Sequence, residues 1–303
     1  MSIQNKSTWP AFAAGDAAAR AGFTPIDSHA VLKVRGVDAV RFLQGQCTAD
    51  VAALASGQTC AAAICTVKGR IVTSFTATRT ADGLLLKMHR SLVQPSIDYL
   101  QKFAAFFKVE LNAWEAPCVL ATDHPPLCAL GVTVDYRLNK TRFAELLVPA
   151  TNLEAMLALL EAELAAGTVR AEPETNWCDA LLEAGWLVLD AQSSQTYLPH
   201  QLGLERLGAV SFTKGCYTGQ EIIARTEYRG AIKRRLLKLT CKNLPPDIQV
   251  PTELRDNASK KAGELLAVSH HGTTALAILA TDIPPQGSLY LGEHSFSYRL
   301  ADD

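Results

Sequence analysis

The residues best suited to chemistry lie in one short segment, 214–221, which reads Lys-Gly-Cys-Tyr-Thr-Gly-Gln-Glu. The thiol of Cys216 is a nucleophile when it is ionised. Thr218 and Glu221 have the spacing of a capping box, which predicts that a helix begins at about Gly219. The exposed amides at the start of a helix stabilise a nearby thiolate. The segment therefore predicts a reactive or anion-facing thiolate.

A structural interpretation of the same segment is equally good from the residues alone. Gly215 and Gly219 can shape a tight loop, in which a cysteine packs as a small apolar group. In favour of chemistry, the cation Lys214 lies close to Cys216 in sequence and favours a thiolate. Hydrolase chemistry would need a histidine base, and the nearest candidate upstream, His200, is too far along the chain to support a dyad.

The composition excludes several classes of protein. The 303 residues carry 29 Lys and Arg against 30 Asp and Glu, so no whole-chain field attracts nucleic acid or an acidic membrane. The 8 cysteines are scattered singly and indicate mostly buried thiols in a reducing compartment. Residues 1–9 lack the apolar centre of a signal peptide. We expect a cytoplasmic protein that does not contact membranes.

A histidine pair, His270-His271, precedes Gly272 at a predicted hairpin turn. Two histidines without a further ligand are more often solvated than bound to a metal. The sequence therefore predicts a solvated turn, and no metal site is predicted.

The first part of the chain predicts an α+β unit. Residues 1–25 are predicted as a lead-in because they show little pattern. Alternating apolar residues and helical spacing then predict four strands and two helices, the first helix capped by Asp38. The predicted strands are 30–34, 59–66, 71–79 and 84–88, and the helices are 38–44 and 91–103.

A second unit repeats this order. Strands are predicted at 118–122, 127–132 and 143–148. Thr151 and Glu154 form a second predicted capping box, which begins a long helix that ends at Gly167. A further helix is predicted over 174–184.

After Gly230 the pattern changes to evenly spaced short strands, which predict a small barrel. These strands are predicted at 236–241, 263–269, 274–280, 288–291 and 295–300. The predicted fold class is α+β: two ferredoxin-like α+β units, at about 26–115 and 116–230, and a C-terminal antiparallel β-barrel at 231–303.

The string KGCYTGQEIIAR at 214–225, followed by Tyr-Arg-Gly at 228–230, resembles the signature of the YgfZ family of folate-binding proteins. Further stretches agree with that family in order and spacing. They lie at 36–39, 42–46, 48–51, 68–70 and 197–199. The resemblance covers about 26–300 and implies that the two α+β units, 26–230, form one folate-binding region beside the barrel.

The resemblance also implies a function. It is the binding of tetrahydrofolate or a one-carbon derivative in support of iron-sulfur cluster assembly or repair, and thereby of tRNA modification. Cys216 would be the working thiol, although one cysteine cannot supply the four usual ligands of a cluster. The implied partners are folate and iron-sulfur proteins or their assembly factors, and direct contact with tRNA is left open.

A set of charged, polar and aromatic residues would contact the folate according to the resemblance. They are Lys68, Arg70, Lys214, Tyr217, Gln220, Glu221, Arg225 and Arg229. For several of them a plainer interpretation also holds. Lys68 and Arg70 are otherwise solvated turn charges, and Tyr217 either stacks on a pterin or packs beneath its loop. Arg225 and Arg229, with the basic run 233–235, form either a solvated edge or a patch that faces RNA or the folate glutamate tail.

Two alternative functions stay open, and the first follows from the same resemblance. The family is similar to the glycine cleavage T protein, which implies aminomethyl transfer to tetrahydrofolate. That reaction is expected to use a carboxylate where this chain has Thr73 and Ser74, and a hydroxyl cannot hold the required charge. The pair Leu181-Leu182 likewise stands where an Arg-Ile pair is expected. The other alternative is a non-catalytic interaction scaffold that binds no folate.

Overall fold

The computed structural model describes residues 21–114, 118–122, 124–134, 144–230, 232–242, 244 and 248–300. The side chains of residues 118, 132–134 and 229 lie outside that description. The described strands form two five-stranded sheets and one closed six-stranded barrel. The predicted α+β class with a C-terminal antiparallel barrel is confirmed.

The elements run in the following order. The strands are β1 (Ala21–Ile26), β2 (His29–Arg35), β3 (Thr59–Cys65), β4 (Ile71–Thr80), β5 (Gly83–His89), β6 (Glu110–Ala113), β7 (Cys118–Thr122), β8 (Val132–Val134), β9 (Ala144–Val148), β10 (Val169–Ala171), β11 (Arg234–Lys242), β12 (Thr252–Arg255), β13 (Lys261–Val268), β14 (Thr274–Ala280), β15 (Gln286–Leu291) and β16 (His294–Leu300). The helices are α1 (Ala39–Gln44), α2 (Val93–Gln101), α3 (Pro125–Cys128), α4 (Ala150–Ala165), α5 (Glu174–Glu183) and α6 (Gln220–Arg229).

Sheet I, with the strand order β3-β4-β5-β2-β6, is antiparallel throughout. One face is covered by α2, whose Ser96 hydroxyl lies 3.5 Å from the sulfur of Met88 on β5. Ile97 and Leu100 of the same helix are buried in the largest hydrophobic cluster, which includes residues of both sheets and of the barrel and is called the main core below. Because side chains alternate along a strand, the neighbours of Met88 point to the other face.

Sheet II, with the strand order β10-β1-β7-β9-β8, contains one parallel pair, β1 with β10. Its outer face packs on α4, where Leu146, Met156 and Leu160 share a core. Its inner face contributes Val119 and Leu147 to the main core that also holds sheet I. The two units therefore face each other across a shared interior.

The barrel closes in the order β11-β14-β13-β12-β15-β16. Inside it Leu239, Leu265 and Phe296 form a separate core. Leu236 and Ile278 join the main core of the two α+β units instead, so the barrel packs directly against them.

The strands β6, β10 and β12 were not predicted, and several other sequence predictions are wrong in detail. The lead-in is shorter than 25 residues, because 21–25 belong to β1, which pairs with β7 and β10. The predicted strand 127–132 is replaced by α3 and then β8, because prolines 125 and 126 occupy the first turn of a helix. Thr151 does not cap α4, because the helix already begins at Ala150, after Pro149.

None of the helices in the described ranges combines the length and the apolar character that a membrane crossing requires.

Candidate functional site

The stretches 45–46 and 214–219, far apart in sequence, meet at the start of α6. The backbone amide of Thr218 donates to the carbonyl oxygen of Gly45 over 3.1 Å. The Thr218 hydroxyl donates to the side-chain oxygen of Gln46, also over 3.1 Å. The helix begins where it was predicted, but the predicted capping box with Glu221 is wrong, because no side chain caps α6.

Two glycines allow the β3–β4 turn to dock against α6. Gly219 has φ +86°, and a Cβ there would lie 2.5 Å from the carbonyl oxygen of Thr66. In the turn itself Gly69 has φ +72°, and a Cβ would lie 3.1 Å from Ile222 of α6. A side chain at position 219 would clash with the turn, and one at position 69 would press on Ile222, and both would be strained at these positive φ angles.

Lys214 holds the loop before α6. Its ammonium donates to the carbonyl oxygens of Gln44, Cys47 and Ala49 over 2.6, 2.8 and 2.8 Å. Burial lowers the pKa of this group, which the three carbonyl oxygens nevertheless solvate as a cation. An ammonium has three donors, and all three are used, so Lys214 has none left for a folate or for Cys216.

Cys216 lies at the surface between two fixed points, Lys214 and Thr218. Its thiol is free and exposed. A Cβ placed on the adjacent Gly215 would meet nothing within 4 Å, which shows that this part of the loop faces open space. The loop therefore presents the thiol outward from an anchored base.

Tyr217 points the opposite way and is buried. Its ring lies 5.0 Å from the Lys214 ammonium, within cation–π distance. Burial raises the pKa of its phenol, and the nearby Cys65 and Cys47 add to the effect. Of the two predicted roles, the structure places the ring beneath the loop.

The other predicted contact residues lie around this loop. Lys68, Glu221 and Arg225 are exposed, and Gln220 is half-buried. Arg70 is also exposed, and its guanidinium donates to the carbonyl oxygen of Thr196. The side chain of Arg229 lies outside the described residues.

His200 does not form a dyad with the thiol in this arrangement. Its side chain is only 1% exposed, and its Nε2 lies 3.0 Å from a carboxylate oxygen of Glu227 on α6. His200 thus connects the segment Pro199–Gln201 to α6.

A second group of polar residues lies in the interior between the two sheets. Lys87 of β5 and Glu145 of β9 form an ion pair in which each side chain is only 2% exposed. The indole N–H of Trp177 on α5 donates to the other oxygen of Glu145 over 2.8 Å. Thr76 pairs directly with Lys87, so both side chains share one face of sheet I, and Ser74 lies two residues earlier on that face.

His29 completes this group. Its ring meets that of Trp177 edge-on at 4.9 Å between centroids. Burial holds the pKa of His29 well below its usual range, and the charge of Lys87 lowers it further, so the ring is neutral at pH 7. We call these residues the polar seam: His29, Ser74, Thr76, Lys87, Glu145 and Trp177.

No protein-family model matches the chain. The tRNA-modifying protein YgfZ of Yersinia pseudotuberculosis is 33% identical over 232 residues, which cover 70% of this chain and 68% of the relative. The protein of the same name from Escherichia coli O157:H7 is 33% identical over 229 residues, which cover 71% and 70% of the two chains.

The chain belongs to the YgfZ family.

A solved structure shares the fold of this YgfZ-family chain. The glycine cleavage system aminomethyltransferase T from Bartonella henselae superposes with a TM-score of 0.75 at 19% sequence identity. The superposition covers 94% of this chain and 86% of that one.

The positions at which this YgfZ-family chain lacks the residues expected from the resemblance lie in the interior. Thr73 is fully buried and donates weakly to the carbonyl oxygen of Ser74 over 3.3 Å, on the α2 side of sheet I. Ser74 faces the polar seam with a neutral hydroxyl. Leu181, where an arginine was expected, is buried in the main core.

The polar seam was not predicted from the sequence, although a signal was present. Lys87 interrupts the apolar run of β5, and Glu145 interrupts that of β9. A charged residue at an inward strand position must be paired, because an isolated buried charge is unstable. Which residue is its partner depends on how the two sheets pack, and neither strand reveals that by itself.

Proposed function

We propose that this YgfZ-family protein binds tetrahydrofolate or a one-carbon derivative and, through Cys216, supports the assembly or repair of iron-sulfur clusters. tRNA modification would depend on this protein indirectly, through the modifying enzymes that carry those clusters. The observation that carries the proposal is the exposed thiol of Cys216 on a loop that the buried Lys214 anchors.

The polar seam is the proposed place for the pterin ring. A pterin presents N–H groups along one edge and two aromatic faces, which suit a carboxylate acceptor and an indole. Glu145 supplies the carboxylate, which forms a buried ion pair with Lys87. Trp177 supplies the aromatic surface. The exposed cations Lys68, Arg70 and Arg225 remain candidates for the anionic glutamate tail.

Aminomethyl transfer is the less favoured function. It needs a carboxylate beside the reacting amine, and Ser74 offers a hydroxyl at the seam instead. Glu145 is a carboxylate of the seam, but one of its oxygens is paired with Lys87 and the other accepts the indole N–H of Trp177. Binding without transfer accords better with both features.

The thiol role is tested in cells that lack their own copy of the gene. Cys216→Ser and, as a matched control, Cys178→Ser each change one exposed cysteine. Under oxidative stress, activity of iron-sulfur enzymes and thiomethylation of tRNA should fall with Cys216→Ser and persist with Cys178→Ser. Full activity of Cys216→Ser at normal protein abundance would show that the thiol is not required for this function. Folate binding is tested separately by calorimetry, which distinguishes this function from that of a scaffold.

A further inference from the structure

We propose that Asp179, His270 and His271 form a binding site for a divalent cation of the zinc class, at the contact between α5 and the barrel. The two histidines occupy the β13–β14 hairpin and the carboxylate belongs to α5. One ligand atom from each residue can be chosen so that all three lie within 4.8 Å of one another. The histidine pair thus gains a third ligand that its own sequence neighbourhood does not contain.

The carboxylate and the hairpin are already held together. The backbone amide of His270 donates to one oxygen of Asp179 over 3.0 Å, which fixes the orientation of the carboxylate. The other oxygen lies in hydrogen-bond contact with Nδ1 of the same histidine. A carboxylate that binds a metal is usually oriented by hydrogen bonds of its own, as the amide of His270 orients Asp179.

The hairpin is shaped by its own hydrogen bonds. The amide of Gly272 donates to the carbonyl oxygen of Ser269 over 2.8 Å, and the amide of Thr274 donates to the Ser269 hydroxyl over 3.1 Å. The Thr274 hydroxyl bonds in turn to Glu183, at the end of α5. These bonds hold the hairpin that carries the two histidines in place against α5, which carries Asp179.

The chemistry of the three ligands selects the cation. Two imidazoles and one carboxylate suit zinc and its neighbours among the transition metals, whereas Mg²⁺ and Ca²⁺ prefer oxygen alone. Zinc binds these atoms at about 2.0–2.2 Å, so ligand atoms of a tetrahedral site lie about 3.4 Å apart. Solvent water would complete the coordination.

A cation can reach the site from solvent. The side chain of His270 is 35% exposed and that of Asp179 is 18% exposed. The rings of His270 and His271 lie 3.6 Å apart at their centroids, so the two imidazoles are already neighbours. A bound cation would cross-link the barrel to the helix that carries Trp177 of the polar seam, and it would stabilise their contact.

Equilibrium dialysis of the untagged, reduced protein against Zn²⁺, with Mg²⁺ in excess, tests the proposal. We expect one tightly bound zinc per wild-type chain. Asp179→Asn, which keeps the size of the side chain, and a double His270→Ala/His271→Ala variant should each weaken binding at least tenfold. His294→Ala, which removes another exposed barrel histidine, should bind as the wild type does.

Visible absorption of Co²⁺ supplies a second measurement. Cobalt held by imidazole and carboxylate should give a protein-bound spectrum with the wild type and with His294→Ala, and none with Asp179→Asn. If the double histidine variant does not fold, Asp179→Asn alone decides. The proposal is overturned if the wild type binds no zinc, or if Asp179→Asn binds zinc as tightly as the wild type.

Discussion

The ammonium of Lys214 donates a 2.8 Å hydrogen bond to the carbonyl oxygen of Cys47, 167 positions earlier in the chain. With its two companion bonds, this contact explains why a lysine precedes the exposed cysteine by two residues. The lysine fixes the base of the loop and does not face outward to a ligand. In the sequence Lys214 resembles a cation that binds a ligand, but in the structure it anchors the loop.

Lys214→Met should therefore destabilise the fold. The change leaves three inward-facing carbonyl oxygens without a charged donor, and each such bond contributes about 1–3 kcal/mol. We expect a loss of about 2–5 kcal/mol in the free energy of unfolding, measured by urea denaturation. The matched control is Lys68→Met, an exposed lysine of the neighbouring turn, which should change it by less than about 0.5 kcal/mol. Equal stability of the two variants would contradict the anchoring role.

Cys216 should react fastest with a thiol reagent such as Ellman's reagent on the folded protein. Cys178 is also exposed, but desolvation, with the carboxylates of Glu174 and Asp179 nearby, raises its pKa to about 11. Burial raises the pKa of Cys47 to about 11 and that of Cys241 to about 12. At pH 7.5 these thiols hold little thiolate, and the last two are also shielded.

Loss of the fastest phase in Cys216→Ser, with its retention in Cys178→Ser, would support this assignment. An unchanged fast phase in Cys216→Ser would show that the loop covers the thiol in solution.

The ion pair in the polar seam gives a third expectation. Glu145→Gln removes the carboxylate charge that is paired with the buried Lys87 ammonium, and we expect a loss of about 3–5 kcal/mol in the free energy of unfolding. The double variant Lys87→Met/Glu145→Leu removes both charges and should recover most of that stability. Tetrahydrofolate binding should stay weak in both, because neither offers the carboxylate. Recovery of binding together with stability would contradict a ligand role for Glu145.

The stability of the protein should fall as the pH is lowered below about 6.5. Burial and Lys87 depress the pKa of His29 in the folded state, whereas the unfolded chain protonates it near its ordinary pKa of about 6.5. Below that pH the unfolded state binds more protons, which favours unfolding by up to about 1.4 kcal/mol per pH unit. His29→Gln should flatten the profile between about pH 6.5 and 5, measured by urea denaturation. The exposed His294→Gln is the control, and an equal slope in both variants would contradict the assignment.

Much of the fold could be predicted because its signals are local. The start of α6 at Gly219 was predicted correctly although the capping box was not formed, since the glycine and the apolar residues that follow mark the same position. Five of the six barrel strands likewise show in their even spacing, whereas the four-residue β12 was not predicted. The partners of Lys214 and of Lys87 could not be predicted, because each lies in another element and depends on how separate units pack.

Calorimetric titration of the reduced, folded protein with tetrahydrofolate tests the central claim most directly. We expect one equivalent to bind per wild-type chain, and binding at least tenfold weaker to Lys87→Met/Glu145→Leu, whose fold is checked by circular dichroism. No binding to the folded wild type would contradict a folate-binding function. Equal binding to the double variant would contradict the placement of the pterin in the polar seam.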